Sequence, residues 1–295
     1  MERLVPKLPD KDQRIRLLID TDAANEIDDL YAISLALVSP DRFDLVGLVA
    51  THFAASDNAG PESIDRSYRV ICTLLEKAGL SGRIPVLRGG HPMQYRRVPS
   101  PSEGCDFIIE QAQLCTPEEP LWVLGLGAAT NLASAILKEP AICDRVRYIF
   151  HARSEHTWPH RSEQYNVKGD VLAAMALLDS SVPLVWFDTG THITASFART
   201  EADIAPTGDL GAYIHEYRRH FPYWMTDQKG FFDLGDVAWL LCPEICHVEE
   251  VAAVRMDRDM RMFPTDSLGR MLRVSDIDNE YPWTLLAERL RRWNG

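Results

Sequence analysis

The chain is short of positive charge, of clustered cysteines and of long apolar runs, and each shortage removes a class of function. Thirty-one Lys and Arg stand against 43 Asp and Glu, a net charge of −12. Such a surface repels polyanions, so nucleic acid is a poor partner and a metal cation or neutral polar ligand a better one. Six cysteines (Cys72, Cys105, Cys115, Cys143, Cys242, Cys246) are scattered over 295 residues with no CxxC pair. That excludes the dense disulfide framework of small secreted domains and suits reduced thiols in a cytoplasmic protein. The opening MERLVPKLPDKDQR has no apolar signal core. No later segment approaches about 18 uninterrupted apolar residues, so no membrane partner is expected. Internal repeats, low-complexity tracts and composition shifts are also missing, which predicts one domain over residues 1–295.

What is present is a hydrophobic content of 46%, enough for a substantial core. Apolar runs of strand length recur before turn signals: RLLID (16–20), LVGLVAT (45–51), IPVLRG (84–89), LWVLGLG (121–127), RYIFH (147–151) and PLVWFDT (183–189). Helical patterning lies between them, over 27–38, 63–78, 131–137, 170–179 and 210–220. This β-α alternation predicts an α/β fold with a largely parallel, doubly wound, Rossmann-like sheet and helices on both faces. The Pro- and Gly-rich segment 89–104 reads as a loop over the sheet edge or a ligand site. Residues 197–232 are helical and aromatic, in the manner of core packing or of a lid.

Residues 17–32, LLIDTDAANEIDDLYA, crowd five acids (Asp20, Asp22, Glu26, Asp28, Asp29) into ten positions. Like charges this close raise one another's pKa unless a cation or a set of donors compensates. In open α/β sheets ligands gather at the carboxyl ends of strands, where Asp20 and Asp22 fall, and Asp28 and Asp29 would enter the first turn of the next helix. The helix dipole uses one or two carboxylates there. Five exceed that use, although a solvated acidic cap is the plain alternative. A hard divalent cation with oxygen ligands, Ca²⁺ before others, is the sharper reading, since no Cys or His in the loop invites a softer metal. An EF-hand fails because Ala24 and Asn25 stand where its Asp or Asn and its Gly belong. A Mg²⁺-dependent aspartate-nucleophile phosphatase also begins with DxD after a first strand, which would make Asp20 the nucleophile. No later lysine motif supports it, and GDVAW lacks the second acid.

Four segments in order, IDTDAANEIDD, LGLGAATNLASAILKEP, QYNVKGD and LGDVAWLLCPE, together resemble the inosine-uridine-preferring nucleoside hydrolase family, from about residue 15 to 275. The resemblance implies a nucleoside N-ribohydrolase with a small nucleoside or ribosyl substrate, Ca²⁺ at the base of its pocket, and a homo-oligomer (dimer or tetramer). It implies that Asp22, Asp29, the carbonyl of Leu126 and Asp236 ligate the ion. Asp28 and Asn166 match the groups that bind the sugar hydroxyls. Gln164 falls where the family often has a glutamate reaching the 5′-hydroxyl. Asp22 is also matched to the general base, hydrogen-bonded to a Ca²⁺-bound water, and Asp20 orients the loop. Taken singly, Thr130 and Asn131 read as helix caps, and Asn166, Asp170 and Asp236 as polar helix-start groups.

Cleaving a ribosyl C1′–N bond passes through an oxocarbenium-like state, which dense negative charge favours. The leaving base also needs help, and here the chain departs from the pattern: the family's inosine-uridine members carry a histidine just before the C-terminal calcium aspartate, where this chain has Gly235. His156, Trp158, His160 and Trp224 are the substitutes the sequence offers. The acidic loop is two residues longer between Asp22 and Asp28, which brings in Asn25 and Glu26. The family's Gly-Asn turn becomes THFAASDNAG, with Asp57 or Asn58 standing nearest. A catalytically silent sugar- or nucleoside-binding homologue is the alternative from another class.

Overall fold

Strand runs bounded by turns and helical stretches between them fold as the patterning dictates in the computed structural model, which describes residues 3–221 and 227–293. The first half contains β1 (Ile15–Thr21), α1 (Asp28–Leu37), β2 (Phe43–Ala50), α2 (Ser63–Lys77), β3 (Val86–Arg88), α3 (Glu103–Gln113), β4 (Leu121–Gly125) and α4 (Thr130–Lys138). Next come β5 (Val146–His151), α5 (Tyr165–Gly169), α6 (Val171–Asp179), β6 (Leu184–Phe187), β7 (Thr194–Ser196), α7 (Phe197–Asp203) and α8 (Asp209–His220). The chain closes with β8 (Gln228–Gly230), α9 (Leu234–Leu241), β9 (Cys246–Ala252), β10 (Val254–Met256), β11 (Met262–Pro264), β12 (Arg270–Ile277) and α10 (Tyr281–Arg292).

Eight strands form the central sheet in the order β3-β2-β1-β4-β5-β6-β12-β9. All neighbours run parallel except β9, which lies antiparallel on β12. The α/β doubly wound expectation therefore holds. The sheet order grows outward from β1 in both directions, so the crossovers reverse between β1 and β4 and open a crevice beyond their carboxyl ends. Side chains alternate across the sheet. Leu17, Ile19, Trp122 and Leu124 pack into one core with α1, α8, α9 and α10, while Leu18, Val49 and Val123 pack into a second core with α3, α4 and α6. All ten residues of α1 are buried, because the sheet and neighbouring helices enclose it.

The 89–104 loop packs onto the crevice rather than spanning a gap: Gly90 N–H donates to Asn131 Oδ1, and Met93 N–H to Asp170 Oδ2. Within the 197–232 segment, Phe231 is buried in the core and Tyr213 and Tyr217 lean on it, while β8 pairs antiparallel with β7, which lies just before the segment, as a separate two-stranded sheet. No helix among the described residues is long and apolar enough to cross a membrane.

Candidate active site

Five carboxylates converge at the crevice. Asp22 follows β1, Asp28 and Asp29 open α1, and Asp233 and Asp236 sit at the start of α9. Each is at most 5% exposed. Oxygen atoms of Asp28, Asp29 and Asp233 lie within 4.8 Å of one another, as do ligand atoms of His151, Asp233 and Asp236. Burial raises the pKa of Asp22 well above the carboxylate range, and Asp29, Asp28 and Glu26 add to it. Asp29 is raised by burial and then by Asp28. Asp233 is raised by burial and then by Asp28, Asp29, Asp236 and Asp22. Asp236 is raised by burial, against the pull of His151. Carboxylates gathered away from water without a cation repel, which pushes Asp22, Asp29, Asp233 and Asp236 toward their protonated forms.

The partners of these groups separate their roles. Asn25 Nδ2 donates to Asp22 Oδ2 at 3.0 Å. Thr21 Oγ1 donates to Asp29, and the amide of Phe232 donates to Asp28 Oδ2 at 3.2 Å. His151, at the carboxyl end of β5, brings Nδ1 to 2.6 Å from Asp236 Oδ2 and stacks on Phe187. Asp236 Oδ1 is buried with no partner among the described residues. An orphaned anionic oxygen within an oxygen-rich cluster is the donor set of a hard divalent cation, and the residues present fit one. His151 would act as the orienting neighbour such ligands commonly have.

The two inserted loop residues turn out to be internal partners. Asn25 binds Asp22, and Glu26 accepts from the fully buried Lys229 of β8 at 2.7 Å. Lys229 also lies 3.8 Å from Asp28 and 4.6 Å from the centre of the Phe232 ring. The Arg153 guanidinium lies 4.2 Å from the centre of that same ring. Gly127 is required by close approach: a Cβ there would come within 2.4 Å of Thr51 Cγ2 and 3.1 Å of Asp22 Cβ, displacing the loop.

Asn166 is 6% exposed and its Nδ2 donates to the carbonyls of Leu126 (2.6 Å) and His151 (2.9 Å). Two carbonyl acceptors fix which end is nitrogen. Its Oδ1 has no donor among the described residues, and the Leu126 oxygen keeps a second lone pair. Gln164 caps α5, its Oε1 accepting from Asn166 N–H at 2.7 Å. Asp22, Asn25, His52, Phe53, Tyr165 and Asn166 line a small pocket here. A much larger groove of about 1040 Å³ lies at the other end of the sheet, along Ile15, Asp44, Trp122 and Arg147, away from every acid of the cluster.

Several expectations change. Thr130 and Asn131 do not cap α4, whose N-cap position is Ala129. Thr130 instead links His52 Nε2 (2.7 Å) to Asp170 Oδ2 (2.7 Å), and Asn131 Nδ2 donates to Asp20 Oδ2 at 2.7 Å. Asp170 does cap α6, accepting from Ala173 N–H. Asp20 is fully buried, accepts from Asn131 and has its pKa pushed up by burial to about 8, an enclosed setting that suits the loop-orienting reading. His156 and His160 lie outside the residues that line the small pocket, and Trp158 packs on Trp186 with the Arg273 guanidinium 4.9 Å from the centre of its ring. Trp224 falls outside the described residues. Gly235 faces Ile193, Ile277 and Phe187, so a side chain there would point into apolar packing.

Sequence reasoning missed His151, Asp233 and Lys229. His151 carried a signal, a polar residue ending an apolar strand. Asp233 lies three residues before Asp236, the spacing that puts two side chains on one helical face.

The family model for inosine-uridine preferring nucleoside hydrolases matches residues 17–279. The pyrimidine-specific ribonucleoside hydrolase RihA of Escherichia coli is 26% identical over 257 residues, covering 78% of this chain and 80% of that protein. The non-specific ribonucleoside hydrolase RihC of Klebsiella pneumoniae is 24% identical over 259 residues, covering 79% and 81%. Among solved structures, a plant nucleoside hydrolase superposes with a TM-score of 0.73 at 20% identity, over 95% of this chain and 99% of its own.

Proposed function

Because the chain belongs to the inosine-uridine preferring nucleoside hydrolase family, we propose that it hydrolyses the N-glycosidic bond of a ribonucleoside or related ribosyl compound, dependent on Ca²⁺. The activity class is that of a nucleoside N-ribohydrolase. The observation that carries the cation requirement is the Asp236 Oδ1 atom, buried and unpartnered amid four further carboxylates. Asp22, Asp29, Asp236 and the Leu126 carbonyl would hold the ion. Bound there, it would lower the pKa of a neighbouring water and draw the sugar hydroxyls into line.

The chain's own groups do the rest. Asp22, steadied by Asn25, accepts the proton of the attacking water on the face of the ring opposite the base. Asp28, Asn166 through its open Oδ1, and Gln164 beside it receive the sugar hydroxyls. The remaining negative charge stabilises the developing ribosyl cation. Gly235 supplies no acid for the leaving base, and a Cβ there would meet the side chains of Ile193, Ile277 and Phe187. His52 is no ready substitute: burial holds its pKa down to about 4, Ala54 N–H occupies Nδ1, and Nε2 donates to Thr130. The reading is therefore that the base departs without acid from these two positions. The six free thiols suit a cytoplasmic location.

Purine and pyrimidine nucleosides assayed for released reducing sugar, with and without a chelator, test the proposal. Ribose release that stops on chelation and returns with CaCl₂ is expected. Binding of ribose without turnover on any nucleoside overturns it.

A further inference from the structure

We propose that Asp233 is a further carboxylate ligand of the cation that Asp22, Asp29 and Asp236 would hold, an inference that rests on the metal reading above. Hydrogen bonding sets Asp233 apart from its neighbours. Asp22 has Asn25, Asp28 has the Phe232 amide, Asp29 has Thr21, and Asp236 has His151. Among the described residues no donor comes within hydrogen-bond distance of the Asp233 carboxylate, and the nearest cationic candidate, His151 Nδ1, is 3.6 Å away. Yet only 5% of the residue is exposed.

Its backbone position sharpens the point. Asp233 occupies the N-cap of α9, where an aspartate ordinarily turns its oxygen onto the helix amides, and its side chain makes no such bond. It forgoes a stabilisation the local sequence offers and joins four like charges instead. A buried carboxylate in that situation needs a cation.

Geometry supplies the place. Asp233 is the residue shared by both close donor sets, Asp28 with Asp29 and His151 with Asp236, each set within 4.8 Å. Two oxygens on opposite sides of one Ca²⁺, each at about 2.4 Å, are about 4.8 Å apart, so one ion reaches across either set. Asp233 thus joins the α1 side of the crevice to the α9 side, and adds a negative charge to the ligand set that the family resemblance supplies.

Calorimetric titration of CaCl₂ into chelator-stripped full-length protein, paired with thermal unfolding of the stripped protein at pH 8, tests this. Asp233→Asn should weaken Ca²⁺ binding at least about tenfold. It should also raise the melting temperature of the stripped protein by about a few degrees, because a repelling charge has gone. Asp233→Ser, neutral and smaller, should move affinity the same way. A Ca²⁺ affinity within about twofold of the parent in these variants overturns the proposal, as does a lower melting temperature with unchanged affinity, which would make Asp233 a structural group. Asp236→Asn runs alongside. If it weakens Ca²⁺ binding and Asp233→Asn does not, only this inference fails. If neither matters, or the parent binds no Ca²⁺, the metal reading fails with it.

Discussion

The buried carboxylate of Asp188 and the buried acids of the crevice lie at the carboxyl end of the same sheet, and the protein satisfies them to very different degrees. Asp188, just beyond β6, accepts from the amide and hydroxyl of Ser154 and from Arg273, whose Nε and Nη2 lie 2.7 and 2.6 Å from its Oδ2. Arg273 in turn pairs with Glu249 at 2.7 Å. Across the crevice, the acids of α1 and α9 share few donors, Asp236 keeps an orphan Oδ1, and burial with neighbouring like charge raises the pKa of Asp29 and Asp233. The first group is complete as it stands. The second lacks that internal compensation, which is what the proposed cation would supply; burial alone does not mark a functional acid, and burial without internal compensation does.

The comparison breaks first at Asp22. Asp22→Ala should cut turnover by about a hundred to ten thousandfold in a reducing-sugar assay, the range for loss of a general base, with further loss where it ligates. Asp236→Ala should leave a protein that loses its metal on dialysis, read by atomic absorption. Full activity in Asp22→Ala together with retained metal in Asp236→Ala would remove the distinction between the two acid groups.

Asp188 supplies the reverse test. Asp188→Ala strands a largely buried guanidinium and should cost about 3 kcal/mol or more in denaturant unfolding of the metal-free protein. Its Ca²⁺ affinity, measured in the folded range, should match the parent. A variant that lost metal with stability intact would place Asp188 on the functional side.

How much of this was legible beforehand follows from where each signal resides. β1 to β6 and the helices α1, α2, α4 and α6 announce themselves as apolar runs and helical periods, because both faces of a parallel sheet are covered. The helix α3 and the short α5 do not. β12 and β9 do not: Arg273 and Asp276 interrupt the first, and His247, Glu249 and Glu250 the second, as suits a pair reaching the sheet edge and the Asp188 cluster. The acidic loop was legible as a surplus of charge, and the four-segment resemblance gave Asp236 its place. Asp233 was hidden because a lone acid before a helix reads as a cap, and only its absent cap bond separates the cases. Lys229 was hidden because a single lysine ahead of two phenylalanines carries no pattern, and its partner Glu26 lies more than two hundred residues away.

A smaller effect sharpens the contrast through protons. Burial and like charge raise Asp22, Asp29, Asp233 and Asp236 in the metal-free protein. Ca²⁺ must displace those protons, so its apparent affinity should fall as pH drops from 8 to 6, with proton release seen as a buffer-dependent heat. An affinity flat across that window would mean the acids are already ionised in the metal-free protein, their charge compensated by groups within the fold.

The smallest effect concerns His52, at the pocket wall between the two cores. Burial pushes its pKa from 6.5 down to about 4, so the folded protein excludes a proton that the unfolded chain accepts. Its contribution to stability is complete above about pH 6.5 and is lost as pH falls toward 4. Between pH 7 and 5 the loss amounts to about 2 kcal/mol, given 1.4 kcal/mol per pKa unit. His52→Gln can still bond Thr130 without titrating, and should flatten that part of the acid limb in urea unfolding of the metal-free protein. An unchanged limb would mean that the His52–Thr130–Asp170 chain admits the proton, and that its aspartate is compensated no better than those of the crevice.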